Sequence, residues 1–447
     1  MADESKSEEN DVIFQALLKL AQPPIDFNPL SLQHLTQLNL PNCGLSSLPS
    51  NLGTYLPNLS ILFCPKNQFD ELPAVIGSCP SLQMVSFKTN QMKRIHPDAL
   101  QPQLRWLILT DNELTTIPRE IGRCTILQKL MLAGNQIQHI PDEISNCIKL
   151  ELVRLASNQL QEPPTVLLQL PNLAWVALSD NPFLAHINNN TGESTTTLLS
   201  VLDDINDHTD GHVLGQGASG TTRQVLWKDR SVAVKTYTGS MTSDGNPQHE
   251  KKLALVASSI DSDCLIQVLG QTKDGSLVME LLENYQALSG PPSMESCSRD
   301  IYEKDHVIST NKALGMVNGL LSVLVQLHEK GICHGDFYGH NILVSQDVSK
   351  QVKLSDFGAA FFYDKTTEYG SCIEQIEMRA FAILVEEVEK CVEAKDAVPQ
   401  DLLLLTKTCQ TLTSFASLQE AWLSVQTQST DVHVDVSKIC KWGVDQA

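Results

Sequence analysis

The chain has no apolar run of the length that crosses a bilayer as a helix, no C-x-x-C pair among its 12 cysteines, and no surplus of positive charge. A membrane-spanning helix takes roughly 20 consecutive apolar residues, so no membrane span is expected. The opening MADESKSEEN is acidic and polar, without the basic-then-apolar order of a secretory leader. Acidic residues outnumber basic ones by 52 to 32, a formal net charge of −20, and a field of that sign repels phosphate polymers and anionic lipid. Nucleic acid is therefore excluded as a general partner, while a local basic pocket stays open. Cysteines scattered from Cys43 to Cys440 in a chain without such a leader read as reduced thiols. The Asn189-Asn190-Thr191 sequon then falls in a polar linker without consequence. The expected setting is cytoplasmic.

What is present begins with periodicity. At 447 residues the chain exceeds what one core supports, about 250 to 300 residues, so two domains are expected. From Leu35 the pattern L-x-x-L-x-L-x-x-N-x-L-x-x-L-P recurs every 22 to 24 residues, with copies starting at Leu35, Leu59, Leu82, Leu104, Leu127, Leu150 and Leu173. The ninth position holds Asn67, Asn90, Asn112, Asn135, Asn158 and Asn181, with Cys43 in the first copy. This is the signature of leucine-rich repeats, an α/β solenoid in which each short strand turns its leucines inward and neighbouring copies bury one another. The preceding DVIFQALLKLAQ reads as an amphipathic helix capping the first copy.

Strand alternation places the residues between the core leucines on the concave face. One column reads Gln37, Ile61, Met84, Trp106, Lys129, Leu152 and Trp175; its neighbour reads Asn39, Phe63, Ser86, Ile108, Met131, Arg154 and Ala177. A contiguous apolar face of this kind usually marks a protein-binding surface, and Phe63, Trp106, Met131 and Trp175 are its candidate contacts. The competing reading is that a flanking segment or the second domain covers it.

After LSDNPF the leucine register is lost in HINNNTGESTTT. VLGQGASG then spaces Gly215, Gly217 and Gly220 as G-x-G-x-x-G, an arrangement that lets backbone amides approach phosphates. Alone this triplet is ambiguous with dinucleotide-binding turns. The strand VAVK ending at Lys235, then HGDFYGHN and KLSDFG, decide the matter: residues 211 to 425 resemble the eukaryotic protein kinase family.

The resemblance implies an α+β two-lobed domain using ATP and Mg²⁺. It assigns Gly215, Gly217 and Gly220 to the loop over ATP, Lys235 to the α and β phosphates, and Glu250 to the partner of that lysine. Ala233, Met279, Glu280 and Leu282 fall at the adenine side. His334, Asp336 and Asn341 match the catalytic loop, with Asp336 accepting or orienting the hydroxyl proton. Asn341 and Asp356, the latter in Asp356-Phe357-Gly358, match the metal ligands. Three departures stand out. Gly335 replaces the arginine that commonly precedes the catalytic aspartate and pairs with a phosphorylated loop, the A-P-E motif and its late arginine partner are both missing, and Tyr338 and Thr222 replace a lysine and a valine. The expected organisation is an N-terminus and cap at 1–30, about seven repeats at 31–185, a linker at 186–206, the kinase-like domain at 207–430 and a tail at 431–447. The expected function is a Ser/Thr protein kinase recruited by its repeats, resembling intracellular leucine-rich repeat kinases. Two alternatives are a pseudokinase scaffold and a small-molecule kinase, since H-G-D with asparagine five residues on also resembles aminoglycoside and choline phosphotransferases.

Overall fold

The computed structural model describes residues 32–187, 201–202, 205, 211–217, 219–238, 241–303, 307–347, 352–392, 400–409 and 411–429. The expected capping helix, the tail and most of the expected linker lie outside the described residues. The chain divides into two compact units: one runs through Leu173 and adds Asp180–Phe183 and Met241–Gly245, and the other gathers Ala174–Ser179, Leu184–Ser240 and the chain from Asn246. No helix among the described residues is long and apolar enough to cross a membrane.

The first unit is built on parallel three-residue strands, β1 (Gln37–Asn39), β2 (Ile61–Phe63), β3 (Met84–Ser86), β4 (Trp106–Ile108), β5 (Lys129–Met131) and β6 (Leu152–Arg154). Their register stacks Leu38, Leu62, Val85, Leu107, Leu130 and Val153 into one fully buried row. The repeat asparagines explain themselves here. Asn135 Oδ1 accepts from Leu114 N at 3.0 Å and its Nδ2 donates to Leu109 O at 3.0 Å, both in the preceding copy. Asn67, Asn112 and Asn158 do the same one copy back. Each asparagine thus satisfies backbone groups that the turning chain leaves without a ladder partner. The residue before it takes a left-handed conformation, as at Lys66, Thr89, Asp111, Ser157 and Asp180, and at Gly134.

The segment Met241–Gly245 folds with this unit. Asp244 Oδ1 accepts from Arg154 Nε at 2.9 Å, and Arg154 is 2% exposed. A Cβ at Gly134 would lie 2.7 Å from Met241 Cγ, so the glycine leaves room for that methionine.

The second unit has a strand-rich lobe and a helical lobe. Strand β7 (Trp175–Ala177) belongs to it. The strand-rich lobe is a five-stranded antiparallel sheet of β8 (His212–Gln216), β9 (Gly220–Trp227), β10 (Arg230–Tyr237), β11 (Val268–Gln271) and β12 (Leu277–Glu280), in the order β8-β9-β10-β12-β11. Helix α1 (Pro247–Ala257) starts where Asn246 accepts from Gln248 N and Pro247 occupies the first turn. Leu202 and Ile205, assigned from sequence to the linker, are core residues here beside Val232, Val234 and Val278. Val201 bridges to Gln271, so the strand-rich lobe begins before residue 207. Their apolar spacing is that of a packed segment rather than a solvated one.

The helical lobe holds α2 (Thr310–Glu329), α3 (Glu368–Lys390), α4 (Gln400–Cys409) and α5 (Phe415–Ser429). Strand β13 (Tyr285–Ala287) pairs with β15 (Ile342–Ser345), which pairs with β16 (Lys353–Leu354). Strand β14 (Ile332–Cys333) pairs with β17 (Phe361–Phe362). These short ladders frame the loop that carries Asp336.

Candidate active site

Lys235 lies on β10 and Glu250 one turn into α1, and their ammonium and carboxylate form an ion pair. Burial pushes the Glu250 carboxyl above its usual range and the nearby Asp356 charge adds to this, while Lys235 pulls the other way. That coupling places Asp356 in the field of the pair, as does its effect on the buried phenol of Tyr237. The three sequence-predicted groups therefore lie within electrostatic reach of one another.

The glycines of the loop separate into two kinds. A Cβ at Gly220 would be driven into the carbonyl of Thr236 on the neighbouring strand, so packing alone demands glycine there. Around Gly215 and Gly217 a Cβ would meet nothing within 4 Å among the described residues, so no packing described there explains them. Ala233 and Met279 are directly paired across β10 and β12. Glu280 at the end of β12 spends its side chain on Lys353 Nζ at 2.7 Å and Gln267 N at 2.9 Å. Leu282 follows, half-buried.

Asp336 and Asn341 both lie in the loop between β14 and β15. Asn341 Nδ2 donates to Asp336 Oδ2 and to its backbone O, both at 2.9 Å, and Ser355 Oγ donates to Asn341 O at 2.8 Å. This chain of bonds ties the Asp336 carboxylate to the asparagine and then to the residue before Asp356. Asp356 itself has a left-handed backbone, φ 57°, and accepts from Gly358 N at 3.0 Å. His334 Nε2 is bonded to Ser355 O at 3.0 Å.

Two groups that hold this loop carry no motif and were not read from the sequence. Glu377 on α3 is 1% exposed and accepts from His328 Nε2 at 2.7 Å, His334 N at 3.0 Å and Gly335 N at 2.7 Å. Burial opposes its ionisation, but the hydrogen bond and charge of His328 and the neighbouring donors outweigh that and hold the carboxyl below its usual range. His328 Nδ1 continues the chain to Tyr363 Oη at 2.7 Å. The second group is Asp300, which accepts from Ser289 Oγ at 2.6 Å and His340 N at 2.9 Å and pairs with His340 Nδ1 at 2.8 Å. Burial lowers the His340 imidazole, and the Asp300 bond and charge more than reverse it. The one available signal for Glu377 was its position four residues after Ile373 and four before Phe381, inside the buried stripe of its helix.

Two departures noted in the sequence acquire a structural reason. Gly335 has φ +73°, and a Cβ there would collide with Val176 O and stand 2.8 Å from Ala359 O, so no arginine fits without rearrangement. Only residues 359–367 separate Gly358 from α3, and they include β17 and the cap of that helix, where Thr367 Oγ1 accepts from Gly370 N at 3.1 Å.

Of the residues expected on the concave face, Phe63, Trp106 and Met131 are half-buried. Trp175 does not fit that expectation: it is 1% exposed, its indole covered by Tyr338 within the second unit. The neighbour that covers it comes from far along the chain.

The donor set suits a nucleotide with a hard divalent cation. The Asp356 carboxylate and the Asn341 amide oxygen are the ligand type Mg²⁺ prefers, and Lys235 supplies a compensating ammonium. A family profile for the protein kinase domain matches residues 208–390, and one for the leucine rich repeat matches residues 102–160. Serine/threonine-protein kinase 33 of Bos taurus is 26% identical over 165 residues, covering 34% of this chain and 32% of that protein. A light-sensor protein kinase of Ceratodon purpureus is 30% identical over 168 residues, covering 35% of this chain and 12% of that protein. A solved leucine-rich repeat protein of Leptospira interrogans is 32% identical with a TM-score of 0.32, covering 34% of this chain and 38% of that one. The chain thus spans about a third or less of the length of these two kinases. It combines a leucine-rich repeat region with a protein kinase domain whose relatives include serine/threonine kinases.

Proposed function

We propose that the protein is an ATP- and Mg²⁺-dependent Ser/Thr protein kinase, working in the cytoplasm on substrates brought to it by its repeats. The observation that carries this reading is the formed Lys235–Glu250 ion pair in the field of Asp356. Bound Mg²⁺ would neutralise the charge that develops on the transferring phosphoryl group. Asn341 and Asp356 would hold it, and Lys235, oriented by Glu250, would bind the α and β phosphates. Asp336, fixed by Asn341, would accept the proton of the attacking hydroxyl. Gly215 and Gly217 leave space for the loop backbone to approach the phosphates.

The missing A-P-E motif removes much of the usual peptide platform. Recruitment through the repeats offsets this by raising the effective concentration of substrate. Phe63, Trp106 and Met131 are the contacts offered on the concave face, whereas Arg154 there is already engaged by Asp244.

Transfer of labelled γ-phosphate from Mg-ATP to the protein itself and to a protein and peptide panel tests the reading. Label on Ser or Thr that disappears in Asp336→Asn and Lys235→Met is expected. Label that persists in both variants, or Mg²⁺-dependent nucleotide binding without any transfer, would overturn it; the second result leaves a scaffold or a kinase of small molecules.

A further inference from the structure

One three-residue strand of the second unit touches the catalytic loop at three successive points. Trp175 Nε1 donates to Phe337 O at 3.0 Å. The Trp175 ring stacks on Tyr338 at a centroid distance of 4.2 Å and an interplanar angle of 6°. Val176 O lies against the α-carbon of Gly335, where no Cβ fits. Gly335 is the residue before Asp336, and Phe337 and Tyr338 are the two after it. The residues flanking the aspartate are thus held from both directions: Glu377 takes the N–H groups of His334 and Gly335, and Trp175 takes the carbonyl of Phe337.

These contacts have the character of a built support. Trp175, Phe337 and Tyr338 are all buried, and parallel stacking with an indole hydrogen bond fixes both the tilt and the depth of the ring. The Tyr338 ring is committed to this stack, at the position where kinases of the Ser/Thr type carry a lysine toward the phosphate. Gly335 offers no side chain through which a phosphorylated loop could set the same stretch of backbone. We infer that Trp175, from the seventh repeat copy, is a positioning residue for Asp336, replacing a regulated support of the catalytic loop with a permanent one. This rests on the kinase reading above.

The test uses the full chain and the variant Trp175→Phe, which keeps a stacking ring and loses the N–H donor. Hydrogen exchange without nucleotide should accelerate about five- to tenfold across residues 334–341, the effect of one lost hydrogen bond, with α2 and α3 unchanged. In the transfer assay kcat should fall by a similar factor while KM for ATP stays within about twofold, since among the described residues Trp175 meets Phe337, Tyr338 and Arg299 rather than the groups assigned to ATP. A merely structural tryptophan would instead raise exchange throughout the second unit and leave kcat per folded molecule unaltered, and that result, or unchanged exchange at 334–341, overturns the inference. If wild type transfers no phosphate, the kinase reading fails and exchange alone decides the positioning role. Should Trp175→Phe not fold, Tyr338→Leu removes the stack from the loop side while keeping the Trp175 donor, and faster exchange at 334–341 with lower kcat is again expected, unchanged values overturning the inference.

Discussion

Replacing Gly335 with alanine isolates the backbone problem that an arginine would meet at the same place. The glycine sits at φ +73°, where an L-residue carries a penalty of about 1 to 2 kcal/mol. Its Cβ would also be forced against Val176 O and stand 2.8 Å from Ala359 O, and overpacking of this kind adds about 1 to 3 kcal/mol. The sum is about 2 to 5 kcal/mol, a large share of the roughly 5 to 15 kcal/mol that a domain possesses. At about 2 to 4 °C per kcal/mol for 150 to 250 residues, the unfolding transition of the second unit should fall by about 4 to 20 °C. Differential scanning calorimetry of the full chain reads this directly. Gly335→Asn separates the two contributions, because asparagine tolerates the left-handed region but still carries a Cβ; it should recover part of the loss only. An alanine variant that melts within about 1 °C of wild type would show that the carbonyls move aside freely, and the explanation for the missing arginine would be wrong.

Other perturbations follow from the same geometry. Glu377→Gln would turn an amide N–H₂ toward donors that now face carboxylate oxygens, destabilising the second unit by about 3 to 5 kcal/mol, measurable by denaturant titration; a change under about 1 kcal/mol would contradict the network described. Glu377 itself ionises below the usual range, so its contribution is complete above that range and is lost as pH falls from there through its lowered folded-state value. Glu387 behaves oppositely. Burial, aided by the Asp300 charge, pushes its carboxyl up to about 7, so the folded state holds a proton that the unfolded state has released. Stability should therefore decline as pH rises from the ordinary glutamate range through about 7, and Glu387→Gln should flatten that decline in melting curves taken between pH 5 and 8. Parallel slopes for the two proteins would refute it.

The repeats were legible because their cause is local: one leucine pattern and one asparagine per copy suffice to specify strand, turn and buried row. The pairing of Lys235 with Glu250 was legible through their distance in sequence and the apolar helix after the acid, and the meeting of Asp336 with Asn341 through their spacing. Glu377 and Asp300 were not, since each acts by meeting backbone groups 40 or more residues away, and an acid on an amphipathic helix looks like its solvated neighbours. Leu202 and Ile205 were lost inside a polar stretch whose composition outweighed two apolar positions. Trp175 shows a different limit. Period-two alternation fixes the direction of a side chain on its strand, but whether solvent, a partner or the same chain stands opposite depends on contacts spanning 162 positions.

The asparagine bonds give the repeat array a polarity. Each amide reaches back to the copy before it, as Asn158 does to Leu132 and Ile137. Shortening the array from its beginning strands only the side chain of the new leading asparagine, which can turn to water. Shortening it from the other end removes the amide and leaves the backbone N–H and carbonyl of the surviving copy bare. Loss or gain of copies should thus be tolerated at the leading edge and penalised at the trailing one, giving the solenoid an end at which its length can vary and an end at which it cannot.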